Sequence, residues 1–225
     1  MYKQDSAFFL AFSLFCVILQ VMAAQKGGNL PKSSPIAAIL LASGFSRRFG
    51  KQNKLLFPFR GKPLARYTLE IAATMGFSGG IYFIVASCEV AALADDLDAV
   101  RVVKNASPEK GQRESVRLGV KAAGLNAGYY LFFPCDQPFL DVCTVQSILD
   151  AREHGCIVEP RCGSKPGNPC LFSSVFRGEL LSLADGETPR LIKGRHPEAL
   201  RGVEISNPLV LEDIDDEKAN IFIPP

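Results

Sequence analysis

Along the chain, short unbroken apolar runs alternate with stretches in which apolar residues recur every three or four positions. Ile36–Ala42, IAAILLA, ends in Ser-Gly and has the pattern of a strand buried on both faces of a parallel sheet. Pro63 opens a helix in which Leu64, Tyr67, Ile71 and Met75 fall near helical spacing until Gly76 ends it. Residues 81–86 and 100–103 predict two further strands, 112–123 an amphipathic helix, and Tyr129–Pro134, YYLFFP, a fourth strand. A helix over 141–154 and a strand at Ile157 and Val158 follow. Strands alternating with helices predict an α/β fold, a three-layer α/β/α sandwich around a mostly parallel sheet, with its ligand site beyond the carboxyl ends of the strands. Loops 43–54 and 135–140 fall on that rim.

The first 35 residues follow another pattern and are set apart as an apolar amino-terminal extension, leaving 36–225 as one domain. Residues 7–24, AFFLAFSLFCVILQVMAA, carry no charge. Three readings stay open: a membrane anchor, the apolar part of a cleaved signal, or a dispensable stretch preceding a start at Met22. The flanks are weak, with Lys3 set against Asp5, and Ser13 and Gln20 interrupt the run.

Composition narrows the function classes. With 48% hydrophobic and 21% charged residues, the 225-residue chain is too apolar for disorder, and a net charge of +2 supplies no field for gathering nucleic acid. Seven cysteines without a CxxC pair suggest neither a disulfide framework nor a zinc ribbon, and read as reduced thiols of a cytoplasmic protein. His154 and His196 accompany no nucleophile signature, and the spacing of His154, Cys156, Cys162 and Cys170 fits no recurrent zinc pattern.

The candidate chemistry begins after the first strand. LASGFSRRFGKQNKLL, residues 41–56, puts Gly44 and Gly50, Arg47 and Arg48, and Lys51 and Lys54 directly behind it. The glycines permit close backbone approach and the cations supply charge, which together suit a phosphate, although a solvated basic turn has the same composition. A Walker loop is excluded, because five residues separate Gly44 from Gly50 and Gln52 stands where Ser or Thr would hold magnesium.

LASGFSRRFG, followed by Lys54 and then GKPL at 61–64, resembles the nucleotidyltransferase signature LAAGxSxRMG…K…GxPL of the MobA-like NTP transferases, above all the molybdenum cofactor cytidylyltransferase group. Ser43 stands where that pattern has Ala, and Phe49 where it has Met. The resemblance implies a Rossmann-like nucleotidyltransferase fold over 36–225. It implies that Leu41, Ala42, Ser43, Gly44, Ser46, Arg48, Gly50 and Lys54 hold the NTP, with Arg48 and Lys54 catalytic at the triphosphate.

Four further segments extend it. PCDQPFL at 134–140 puts Asp136 just past an apolar strand, where a carboxylate holds Mg²⁺ or caps a turn; the family's DQPxL implies the metal. KGQRESVRLGVKAAG at 110–124 is an ordinary helix start that is also similar to GQ(S/A)xS(L/V)xxG, which implies nucleotide contacts from Gly111, Gln112 and Ser115. KPGNPCLF at 165–172 reads locally as a turn, and its likeness to GNPxxF implies that Gly167, Asn168 and Pro169 rim the acceptor. LLSLADGETPR at 180–190 is similar to LLxLxGDxGxR with Gly and Asp reversed. LEDIDDEKAN at 211–220 is similar to DIDTPEDY, and Asp215 is either a second metal ligand beside Asp136 or part of a surface acidic run.

The implied activity is transfer of CMP from CTP to molybdenum cofactor, with Mg²⁺ and release of pyrophosphate. The alternatives are a related NTP transferase using another nucleotide or a sugar or alcohol phosphate acceptor, and a non-catalytic nucleotide- or cofactor-binding protein. The implied partners are CTP, molybdenum cofactor, cofactor-delivery proteins and molybdenum hydroxylases, with no nucleic acid and with membrane contact only through residues 7–24.

Overall fold

The structure, a computed structural model, describes residues 33–44 and 53–214. The expectations for residues 7–24, for Ser46, Arg48 and Gly50, and for Asp215 fall outside these residues. In chain order come β1 (Ile36–Ala42), β2 (Pro58–Phe59), β3 (Lys62–Pro63), α1 (Leu64–Met75), β4 (Ile81–Val85), α2 (Cys88–Ala91), β5 (Val100–Lys104) and α3 (Gln112–Ala123). They are followed by β6 (Tyr129–Pro134), α4 (Val142–Asp150), β7 (Ile157–Cys162), β8 (Lys165–Pro166), β9 (Cys170–Ser173), α5 (Arg177–Leu181), α6 (Pro189–Arg195) and β10 (Leu200–Glu204).

The main sheet has the order β10-β7-β9-β6-β1-β4-β5, with β8 added against β7. β1 is central and parallel to both neighbours, Leu40 standing opposite Phe83 of β4 and Phe133 of β6. β5 joins β4 and β10 joins β7 in parallel, whereas β9 runs against both β6 and β7. The sheet is thus mostly parallel, as the alternation of elements implies.

Alternation along the strands sorts side chains onto two faces. Ala38, Leu40 and Ala42 pack with Ala65 and Leu69 of α1 and with Val145 and Ile148 of α4. Ala37 and Ile39 pack on the other side with Val116 and Val120 of α3, Leu180 of α5 and Ile192 of α6. Helices therefore cover both faces, and the three-layer α/β/α architecture follows. A Cβ on Gly119 would come within 2.3 Å of Ile39 Cγ2, so this glycine lets α3 lie directly on β1. α3 starts after Gly111, whose φ of 74° belongs to the left-handed region that favours glycine.

Two elements differ from expectation. The helix predicted over 141–154 begins at Val142, with the Asp141 carboxylate accepting from Thr144 N at 2.6 Å, and ends at Asp150. The strand at Ile157 and Val158 continues to Cys162, because β10 offers it a parallel partner through Glu204. Among the described residues no helix is long and apolar enough to cross a membrane.

Candidate active site

The parallel strands direct their carboxyl ends to one rim, and there the loops after β1, β5 and β6 meet the first turn of α3. β1 delivers Leu41, Ala42, Ser43 and Gly44 to this rim. The Asn53 side-chain oxygen accepts from Leu55 N at 3.0 Å and sets the tight turn Lys54–Leu56. That turn aims Lys54, nearly buried, across the cleft. Its Nζ donates to Asp136 Oδ2 at 2.8 Å, the side chains being 11% and 26% exposed. Coulomb attraction at this separation is substantial in a half-dry cleft, so the pair fixes both groups at the rim.

The frame around Asp136 is held from three sides. Asp136 O accepts from Ile214 N at 3.0 Å. Gln137, itself buried, donates from Nε2 to Asp213 Oδ1 at 2.8 Å and to Leu211 O at 3.3 Å. Phe139 stacks edge to face on Phe59 with centroids 5.5 Å apart, in a small cluster with Leu64 and Ile214. Immediately before Asp136, burial and the adjacent carboxylate push the Cys135 thiol well above its usual range, which keeps it protonated and inert.

A cavity of about 470 Å³ is lined by Leu41, Ser43, Gly44 and Lys54, by Gly111, Gln112 and Ser115, and by Asp136. Seven residues expected to hold the nucleotide and the carboxylate expected to hold metal therefore face one space. Ala42 is buried beside it in the core. A second cavity of about 450 Å³ shares Leu41, Gln112 and Pro134 with the first and is walled by Gly167, Asn168, Thr188, Arg190 and Lys193. Asn168 is joined to Pro169 by a cis peptide bond. Lys193 Nζ donates to the buried Glu159 Oε2 at 2.6 Å.

Sequence reasoning passed over several residues of this rim. Pro108 and Glu109 line the first cavity, and Thr188, Arg190 and Lys193 line the second. Arg190 closes the LLSLADGETPR segment, the one signal that pointed to it. Asn105, just past β5, went unread although it joins Ser43 to Ser115.

The donor chemistry of the rim suits a hard cation that arrives with its ligand. Among the described residues no group of three or more His, Cys, Asp and Glu side chains could hold a metal by itself. Mg²⁺ is typically bound by one or two carboxylates together with substrate phosphates and waters, and Asp136 at the cleft mouth fits that mode.

The profile of the MobA-like NTP transferase domain matches residues 38–200. A nicotine blue oxidoreductase of Paenarthrobacter nicotinovorans is 25% identical over 80% of this chain and 92% of its own length. A probable molybdenum cofactor guanylyltransferase of Haloferax mediterranei is 29% identical over 64% of this chain and 67% of its own. Among solved structures, a nucleotidyl transferase from Methanothermobacter superposes with a TM-score of 0.73 at 22% identity, covering 84% of this chain and 95% of that one. A Mycobacterium tuberculosis protein superposes with a TM-score of 0.67 at 25% identity, covering 82% of this chain and 94% of that one.

Proposed function

The chain belongs to the MobA-like NTP transferase family, a class of nucleotidyltransferase, and from that premise we propose that it transfers CMP from CTP to a phosphate of the molybdenum cofactor. The observation that carries the reading is the Lys54–Asp136 pair, which spans the mouth of a cleft lined by Ser43, Gly44, Gly111 and Gln112.

In the proposed reaction an acceptor phosphate oxygen attacks the α-phosphorus of CTP in line. The bond from that phosphorus to the bridging oxygen breaks, and pyrophosphate departs with the electron pair. The acceptor oxygen is already ionised, so no general base is required and no covalent protein intermediate forms. Positioning and charge neutralisation supply the rate. Lys54, held at the cleft mouth by Asp136, offsets charge on the triphosphate. Arg48, from the loop after β1, is assigned to the same triphosphate. Asp136, with Asp215 as a second carboxylate, would hold Mg²⁺, which when bound neutralises charge on the phosphates. Gly111 and Gln112 border the nucleotide, and Gly167 and Asn168 border the acceptor in the adjoining cavity.

CTP is assigned as donor on the resemblance of residues 41–64 and 110–124 to the cytidylyltransferase group. A second reading, with GTP as donor, is favoured by relatives named molybdenum cofactor guanylyltransferase, one from Haloferax mediterranei and one from Cupriavidus metallidurans. Pyrophosphate release from each of the four NTPs, with Mg²⁺ and with or without molybdenum cofactor, separates them. Cofactor-dependent release from CTP alone is the expected result; release from GTP replaces the donor, and release from none overturns the reading.

A further inference from the structure

We propose that Ser43, Asn105 and Ser115 form a hydrogen-bonded clasp that sets the spacing of the nucleotide cleft and leaves one hydroxyl hydrogen for an oxygen of the bound nucleotide. What the cleft holds rests on the transferase reading above.

The three residues come from the ends of β1 and β5 and from the first turn of α3, and all are nearly fully buried. Ser43 Oγ and Ser115 Oγ lie 2.5 Å apart. Asn105 Nδ2 donates to Ser43 Oγ at 3.0 Å and to Ser115 Oγ at 3.4 Å, while its Oδ1 accepts from Ser107 N at 2.9 Å. Its own N–H donates to Val85 O at 2.7 Å, which pins the end of β5 to β4. One side chain therefore holds the root of the loop after β1, the turn that leads to Pro108 and Glu109, and the first turn of α3. All three parts line the same cavity.

Counting hydrogens gives the clasp its chemistry. The two serine oxygens lie on the same side of the Asn105 amide nitrogen and share its donation, so both oxygens act as acceptors. One serine hydrogen then fills the contact between the two hydroxyls. The other serine hydrogen has no acceptor among the described residues. Ser43 and Ser115 both face the cavity, so the matching guest group there is an oxygen acceptor, as on a phosphate or a sugar. Buried polar networks that are fully joined specify one geometry, and removing a member releases its partners. Ser43 also stands where the resembled signature carries alanine, so the hydroxyl is an addition to that pattern.

On this assignment Asn105 is a positioning residue that acts on the nucleotide through Ser43 and Ser115. The test uses the full chain and its Asn105→Ala, Ser43→Ala and doubly substituted variants, with the dissociation constants of CTP and GTP measured calorimetrically in Mg²⁺ alongside thermal melting. Asn105→Ala is expected to weaken binding of the preferred nucleotide about tenfold and Ser43→Ala about threefold, the loss of one or two buried hydrogen bonds. The double variant is expected to match Asn105→Ala within about twofold, because residues of one network do not add. The KM of the acceptor should stay within about twofold of the parent's. Additive losses overturn the clasp, as does a lowered melting temperature with unchanged nucleotide binding, or a parent chain that binds no nucleotide. If Asn105→Ala fails to fold, Ser43→Ala alone decides, since it removes a single hydroxyl. A parent that binds CTP or GTP yet transfers nothing defeats the transferase reading and leaves the clasp to be judged on the dissociation constants.

Discussion

A carboxylate beside a nearly buried ammonium cannot be exchanged for its amide without losing charge at the point where phosphates would gather. Asp136→Asn keeps the volume and the backbone bond to Ile214, so the fold should stand. Turnover should fall by about 100-fold or more, the scale of removing one preorganised electrostatic contact at a reacting centre. Pyrophosphate release and a thermal melt on the same sample check the two halves of this expectation; near-parental turnover would remove Asp136 from the metal site. Lys54 and Asp136 were legible in the sequence because each falls in a segment that resembles the family signature. Asn105 was not, since NASPEKG has the composition of any turn. Its role exists only once β5 lies beside β4 and α3 crosses β1, which brings together side chains 62 and 10 positions away along the chain.

At the scale of elements, α3 is the piece whose placement decides the site, because the same helix that rests on β1 at Gly119 carries Gln112 and Ser115 over the rim. Gly119→Val would drive a branched side chain into Ile39 and is expected to cost about 2 kcal/mol by overpacking. Urea unfolding measures that loss, and an unchanged midpoint would mean that α3 can ride up without strain. β1 and β6 matched their expected bounds because a strand buried on both faces must be apolar at every position. The apolar pattern missed β10 altogether, and β9 was suggested only by the likeness of 165–172 to a GNPxxF strand entry. β9 is four residues placed behind a Pro-Gly-Asn-Pro turn that hides its start, and β10, LRGVE, is an edge strand with mostly exposed side chains and no continuous apolar run. The reversed direction of β9 leaves no local signature at all, since it is set by the partners it finds in β6 and β7.

For the whole molecule, burial sets a limit at high pH. It raises the thiols of Cys135, Cys156 and Cys170, the last to about 12. Once unfolded, these thiols would ionise from about pH 8.5 upward. Each folded-state value lies above the unfolded one, so the stability they contribute is fully present below about pH 8.5 and is lost as pH rises toward the folded values. The loss approaches about 1.4 kcal/mol per thiol per pH unit over that window. Melting temperatures should therefore fall between pH 8.5 and 11, and replacing the buried Cys170 with Ala should flatten the fall; a profile level across this range would refute the linkage. The reversal of β9 has another consequence. Parallel strands send only outgoing loops to the rim, but a strand running the opposite way brings an incoming one, here the segment 163–169, which β8 ties back to β7 before β9 begins. This incoming turn therefore adds Gly167 and Asn168 to a rim otherwise built from outgoing loops, and both residues wall the second cavity.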